Sequence, residues 1–183
     1  SMISNPRPTL YEASDIAIGA DNRIWVGSTK NAYGHGGGTI LFSDNGTTWT
    51  INYQSSASNP KRIELACAPS DANYVYAIVA DNNIVDKIIS TTNKGSTWNN
   101  MTEPADVDNG IPDTDFTRDQ AFWDLAIAVD PNNKNTVVVG GIDLFRSTDG
   151  ASTWSQISKW SNNANMNLLT CSQVHADQHK ILF

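Results

Sequence analysis

Three stretches of this chain repeat one local design, and that design constrains the fold more than any other feature. They are Phe42-Ser43-Asp44-Asn45-Gly46-Thr47-Thr48-Trp49, Thr91-Thr92-Asn93-Lys94-Gly95-Ser96-Thr97-Trp98, and Leu144-Phe145-Arg146-Ser147-Thr148-Asp149-Gly150-Ala151-Ser152-Thr153-Trp154. Each reads as a strand end, a tight turn and the start of a second strand. In the third, Asp149 can fold its carboxylate back onto nearby N–H groups, and Gly150 tolerates the positive φ of a chain reversal. Thr153 returns the chain to extended structure, and Trp154 offers an apolar plate to pack under the turn. Aligned on tryptophan, the copies share Asp or Asn five residues earlier (Asp44, Asn93, Asp149) and Thr directly before it. Trp98 follows Trp49 by 49 residues, and Trp154 follows Trp98 by 56. A repeat near fifty residues is the size of one four-stranded propeller blade.

The segments between the turns fit that size. Ser14–Ile18, Arg23–Ser28, Thr39–Ser43 and Trp49–Tyr53 read as four strands of one blade, spanning about 14–54. Arg62–Ala68, Tyr74–Ala80, Lys87–Thr91 and Thr97–Asn100 make a second, 62–100. Asp124–Val129, Thr136–Gly140, Asp143–Ser147 and Thr153–Ile157 make a third, 123–158. Helical periodicity does not extend beyond a short helix within Ser161–Leu169. Residues 1–13 read as an extended lead-in with Pro6 and Pro8, opened by a cloning scar, Ser1-Met2. Val174–Phe183 reads as the first strand of a further blade. The expected fold is therefore all-β: about three propeller blades plus the start of another. A closed propeller typically needs four to eight blades. Either the chain is a segment of a longer protein, or copies associate to cover the open edges, which soluble proteins avoid exposing.

The three turns resemble the Asp-box, or BNR, repeat, whose usual form is Ser-x-Asp-x-Gly-x-Thr-Trp. Asp44, Gly46, Thr48 and Trp49 fit, with Phe42 in the leading place. Ser147, Asp149, Thr153 and Trp154 fit, with Ala151 for Gly. Gly95, Thr97 and Trp98 fit, with Thr91 for Ser and Asn93 for Asp. The ordered set Trp123–Pro131, Gly140–Ser147 and Val174–His179 looks like large secreted Asp-box proteins of Bacteroidota-type bacteria. These are grouped with sortilin-like and xyloglucanase-like, that is glycoside hydrolase-like, propellers. The resemblance covers roughly Ser14 to Phe183 and implies a β-propeller in which the box is a structural turn. It implies no single activity, since one fold hosts many functions.

Composition narrows the partners. Net charge is −7, which disfavours a nucleic-acid backbone. Charged residues are sparse at 17%, among many Asn, Ser, Thr and Gly, and there are six tryptophans. That balance suits a secreted or cell-surface, turn-rich protein. There is no run of eighteen apolar residues, so no membrane span is expected, and no leader peptide is visible. Cys67 and Cys171 could pair in an oxidising compartment, but Cys67 reads as an interior strand position, which favours free thiols.

Function is expected on the loops opposite the boxes, where a rigid scaffold presents variable segments. Tyr33 and His35, in the glycine-rich Ser28–Gly38, could contact a sugar, or the loop could be a plain hairpin. The run lacks the Lys-Ser/Thr ending of a phosphate loop. His175, Asp177 and His179 alternate, so on a strand they would share one side. They could ligate a transition metal, bind substrate, exchange protons or form a structural network. The insertion Met101–Phe122 places Asp106, Asp108, Asp113 and Asp115 at alternate positions, as calcium loops do, though in no EF-hand order. A solvated acidic loop is the plainer reading, and no cofactor is required.

Sialidase chemistry is disfavoured. It implies an arginine cluster and an Arg-Ile-Pro segment, whereas Arg62-Ile63 is followed by Glu64. Hydrolysis of the xyloglucanase type needs two opposed carboxylates. Asp124 and Asp177 are candidates, but Asp124 shares a repeat position with Asp15 and Glu64, which favours a structural role. The expected function is a glycan- or protein-binding scaffold module of a larger protein. The alternative is part of a glycoside-hydrolase propeller, for which exposed aromatics such as Tyr33, Phe116 or Trp160 beside paired carboxylates would speak.

Overall fold

A computed structural model describes residues 10–183. Most of the expected lead-in, including Pro6 and Pro8, lies outside the described residues. Three four-stranded antiparallel sheets follow, each with its strands in sequence order. Blade one is β1 (Glu12–Ile18), β2 (Ile24–Thr29), β3 (Thr39–Ser43) and β4 (Thr50–Gln54). Blade two is β5 (Pro60–Cys67), β6 (Val75–Asp81), β7 (Ile84–Thr91) and β8 (Asn99–Asn100). Blade three is β9 (Ala126–Asp130), β10 (Asn133–Gly140), β11 (Leu144–Ser147) and β12 (Ser155–Gln156). Beyond it, β13 (Ser158–Lys159) pairs in parallel with β14 (Ser172–Gln173) around a short 3-10 helix at Ala164–Leu168.

The core lies between blades, where facing sheets meet through the period-two alternation of their side chains. In β6, Val75, Ala77 and Val79 face blade one and, with Ile63 of β5, pack against its Trp25 and Ile40. The alternate residues Tyr76, Ile78 and Ala80 face blade three and meet Leu125, Val139 and Phe145. Both faces of β6 are buried, so its sequence is continuously apolar. Blade one has only one covered face among the described residues. Trp25 is fully buried on it, whereas Ile16 and Ile18 on the other face are 62% and 56% exposed.

The turns are built alike but not in the frame that tryptophan suggests. In blade three, Ser147 Oγ accepts from the N–H of Ala151 (2.9 Å), and Asp149 accepts from Thr153 N–H (2.9 Å) and Thr153 Oγ1 (2.6 Å). In blade two, Thr91 Oγ1 accepts from Gly95 N–H (2.9 Å), and Asn93 Oδ1 accepts from Thr97 N–H (2.9 Å). In blade one the same work falls to Ser43 and Asn45: Ser43 Oγ accepts from Gly46 N–H (2.9 Å), and Asn45 Oδ1 accepts from Thr47 and Thr48 N–H. Asp44 is therefore not the turn acid; it pairs outward with Arg23 at 2.6 Å. The first turn is one residue shorter between hydroxyl and tryptophan, so the strand-ending hydroxyl sets the frame. Ala151 and Lys94 hold positive φ (68° and 56°) in the longer turns, while Gly46 alone does so in the short one.

The tryptophans do more than pack under their own turns. Trp98 donates through Nε1 to Asn52 Oδ1 of blade one (2.7 Å), and Asn52 Nδ2 donates back to the Gly95 carbonyl (3.2 Å). Trp154 donates to the Thr102 carbonyl at the end of blade two (2.7 Å), and Thr102 N–H donates to the Ala151 carbonyl (3.2 Å). Each tryptophan thus clasps the preceding blade. Trp49 has no such partner among the described residues and is 42% exposed.

The reading of Val174–Phe183 as a strand is corrected: no ladder forms there among the described residues. Its location nonetheless follows the blade repeat. Gln178 lies against Gly140 of β10 as Ile63 of β5 lies against Gly27 of β2, and Gln178 N–H donates to the Gly141 carbonyl (2.7 Å). The segment thus takes an inner-strand place without forming a ladder. Cys67 and Cys171 are both free thiols, and burial foremost pushes Cys67 up to about 12.

Candidate ligand-binding corner

Each blade sets an acid at the same place in or just before its inner strand, directly before an apolar-Ala pair: Asp15-Ile16-Ala17, Glu64-Leu65-Ala66 and Asp124-Leu125-Ala126. Asp15 and Glu64 line a common cleft. Asp15 Oδ2 accepts from the N–H of Leu65 on the next blade (2.7 Å), so the first acid ties two inner strands. Burial raises Asp15 above the usual carboxylate range, against that hydrogen bond. Glu64 is pushed up to about 7, by burial first and the Asp15 charge second, against the pull of Arg62 at 2.6 Å. A cleft of about 350 Å³ opens here between Asp15, Glu64, Ala126 and the final residues His179–Phe183.

Asp124 is 3% exposed and forms a corner with the chain's last segment. Its carboxyl is raised by burial and then by the neighbouring Asp177 charge, with His179 acting oppositely. His179 Nε2 lies 3.5 Å from Asp124 Oδ1, and its Nδ1 faces the Trp123 carbonyl at 3.2 Å. Arg62 fixes this corner from blade two by donating to the carbonyls of Phe122 (2.8 Å) and Trp123 (3.0 Å). Trp123 itself is 65% exposed, its ring edge-to-face with Phe122 at 4.8 Å. An exposed aromatic plate can stack on a ring face, and a carboxyl pair with an imidazole can accept hydroxyl hydrogen bonds.

The structure brings Asp124, Asp177 and His179 together but separates His175. Asp177 holds positive φ (74°), which turns the chain between the two histidines, so the one-sided strand geometry is lost. His175 Nδ1 instead faces the Ala176 carbonyl (2.5 Å) beside Trp160. Among the described residues, no three His, Cys, Asp or Glu side chains are grouped to hold a metal ion. The calcium arrangement is corrected in the same way. Arg118 stands where a cation would, bonded to Asp106 (2.7 Å) and Asp108 (2.9 Å) and lying against Trp160. Asp115 accepts from Thr117 Oγ1 (2.6 Å) and Asp119 N–H (2.8 Å), and Asp113 is exposed away from this network. Asp143, fully buried behind it, is pushed up to about 6 by burial foremost.

Tyr33 and His35 sit on an ordered loop. Asn31 Oδ1 accepts from both of their N–H groups, at 2.9 and 3.0 Å, and leaves Tyr33 71% exposed. Phe116 is fully buried against Phe145, so it is a core residue and not a surface aromatic. Sequence reasoning missed Trp123 and Arg62 as site residues. The only signal was position: Trp123 directly precedes an inner-strand acid, and Arg62 lies two residues before another.

No family model matches the chain. A xyloglucanase from Paenibacillus sp is 31% identical over 106 residues, which is 54% of this chain and 10% of that protein. Among solved structures, YCF48 bound to D1 peptide superposes with a TM-score of 0.56 at 14% identity, covering 83% of this chain and 41% of that one. The GH74 enzyme of Niastella koreensis gives 0.54 at 18% identity, covering 81% and 22%. An ancestral GH74 enzyme gives 0.56 at 20%, covering 82% and 19%. The chain thus spans about a tenth of the xyloglucanase and less than half of each solved neighbour. At these identities the structural likeness establishes the β-propeller fold alone.

Proposed function

We propose that this chain is a secreted or cell-surface Asp-box propeller segment, of the Bacteroidota-type sortilin-like and xyloglucanase-like kind, that binds glycan or protein as a scaffold module of a larger assembly. The observation that carries this reading is Trp123, an exposed indole packed on Phe122 and directly preceding Asp124, whose carboxyl meets Asp177 and His179. The similarity to a xyloglucanase and the peptide bound by YCF48 support polysaccharide and peptide as the two ligand classes to try. The uncovered face of blade one and the unclasped Trp49 fit further blades, of a longer chain or a second copy, packed against that face. Titration calorimetry with xyloglucan oligosaccharides and with extended peptides tests the reading. Binding that Trp123→Ala abolishes, with an unchanged melting temperature because the ring is mostly exposed, is the expected result. Binding indifferent to Trp123 would sink it.

A hydrolase reading is favoured by one feature: Glu64, pushed up to about 7, lines the same cleft as His179, the partner of Asp124. Glycoside hydrolysis needs a carboxylic acid opposed to a second carboxyl group. Release of reducing sugar from xyloglucan, lost in both Glu64→Gln and Asp177→Asn, would select it. Tight binding without turnover selects the module.

A further inference from the structure

Two Asn-Gly pairs occur in the chain, Asn45-Gly46 and Asn109-Gly110, and the fold treats them oppositely. An asparagine followed by glycine can close a succinimide. The glycine nitrogen, having lost its proton, attacks the asparagine Cγ, the Cγ–Nδ2 bond breaks, and ammonia leaves. Water then opens the ring at either carbonyl, giving aspartate or isoaspartate. The sum is asparagine and water giving an acid and ammonia, so solvent is the only co-reactant. Glycine matters because it has no side chain to obstruct the approach.

Both asparagines are exposed, so exposure does not discriminate between them. Asn45 is locked. Its Oδ1 accepts from Thr47 N–H (2.9 Å), Thr48 N–H (2.8 Å) and Thr47 Oγ1 (3.0 Å). The attacking nitrogen, that of Gly46, is itself committed to Ser43 Oγ at 2.9 Å. Ring closure there must dismantle the turn. At the second pair, Gly110 N–H has no hydrogen-bond partner among the described residues. Gly110 holds a φ of +82°, with no atom within 4 Å of where a side chain would begin. The Asn109 side chain is held by one contact, from Asn165 Nδ2 to its Oδ1 (2.8 Å).

We infer that Asn109 is a site of spontaneous deamidation in the folded protein, and that the turn protects Asn45. The position gives the change a structural effect. The Asn109–Asn165 contact ties the acidic insertion to the Ser158–Val174 segment. Isoaspartate adds a methylene to the backbone there and pulls the tie apart. The new carboxylate joins Asp106 and Asp108, which already share Arg118.

The test is peptide mapping by mass spectrometry, with isoaspartate quantified, after incubating the full folded chain in mildly alkaline buffer. Asn109 is expected to convert at least about tenfold faster than Asn45, since closure at Asn45 must break several hydrogen bonds. In denaturant the two rates converge by acceleration at Asn45. Gly110→Ala, where the added methyl meets nothing, slows conversion at Asn109. Equal rates in the folded chain, or faster conversion at Asn45, overturn the inference.

Discussion

Gly27→Ala tests how closely the blades are seated. Gly27 lies in β2 against the inner strand of the next blade. A methyl group built there would stand 2.5 Å from the Ile63 carbonyl oxygen, 3.0 Å from Ile63 Cγ2 and 3.1 Å from the carbonyl carbon. The oxygen cannot swing away, because it belongs to β5, paired with β6, and also accepts from Ser14 Oγ at 2.7 Å. Relief therefore requires parting two backbones by about 1 Å across a close-packed interface. Overpacking typically costs about 1–3 kcal/mol, and a backbone obstacle puts this case at the upper end. Alanine recovers about 0.5–1 kcal/mol by restricting the unfolded chain. The net expectation is a loss of about 2 kcal/mol, or a melting temperature lower by about 4–8 °C for a chain of this size. Urea denaturation followed by tryptophan fluorescence measures it, with Trp25 in the same interface as reporter, and the slope should stay unchanged. A Gly27→Ala protein as stable as the parent, or more so, would refute the argument that the blades meet backbone to backbone here.

Trp98→Ala removes a clasp and an edge-to-face contact with Trp25 at 6.2 Å, and should cost about 3–4 kcal/mol. Trp49→Ala should cost under about 1 kcal/mol by the same denaturation assay; equal losses would mean that blade one is covered in solution. Ser43→Ala should cost about 1 kcal/mol, because it takes the acceptor from the part-buried hydrogen bond of the Gly46 N–H, and Asp44→Ala should cost less than that, because it breaks an exposed pair. The opposite order would restore Asp44 as the turn acid. Asp149 is held down to about 2 by Thr153 and Ser147, so its contribution is present above its ordinary value of 3.8 and is lost as pH falls toward 2. Asp149→Asn should flatten acid unfolding in that window and keep the turn, as Asn93 does in blade two. Glu64 has the opposite sign. Raised to about 7, its contribution is complete below 4.5 and is lost as pH rises through 7, and Glu64→Gln should remove that slope from thermal melts.

Much of the blade architecture could be read from local pattern. Short apolar runs such as Val75–Ala80, bounded by turn signals, specify strands whose pleat is buried on both faces. The first turn shows the limit of alignment. Tryptophan is the most conspicuous residue, so it invites the alignment, yet the hydroxyl of Ser43 decides which side chain folds back. Which of Asp44 and Asn45 does so depends on one missing residue that only hydrogen-bond geometry reveals. The acidic insertion shows another limit. Alternate carboxylates suit a cation in the abstract, but Arg118 comes from twelve residues away from Asp106 to neutralise them.

The sequence alone determined what each stretch could form: twelve blade strands, three tight turns, and an acid in or beside each inner strand. These follow from side-chain periodicity and local hydrogen bonding, which act over a few residues. The tertiary structure decided which of those acids are buried and raised and which tryptophans clasp a neighbour. It also decided that Trp123 stands exposed and that Asp124, Asp177 and His179 come together. Those outcomes depend on groups more than fifty residues apart in sequence, such as Arg62 with Trp123 and Asp124 with His179. Desolvation and Coulomb interaction are set by distance in space, and that distance exists only once the blades have packed.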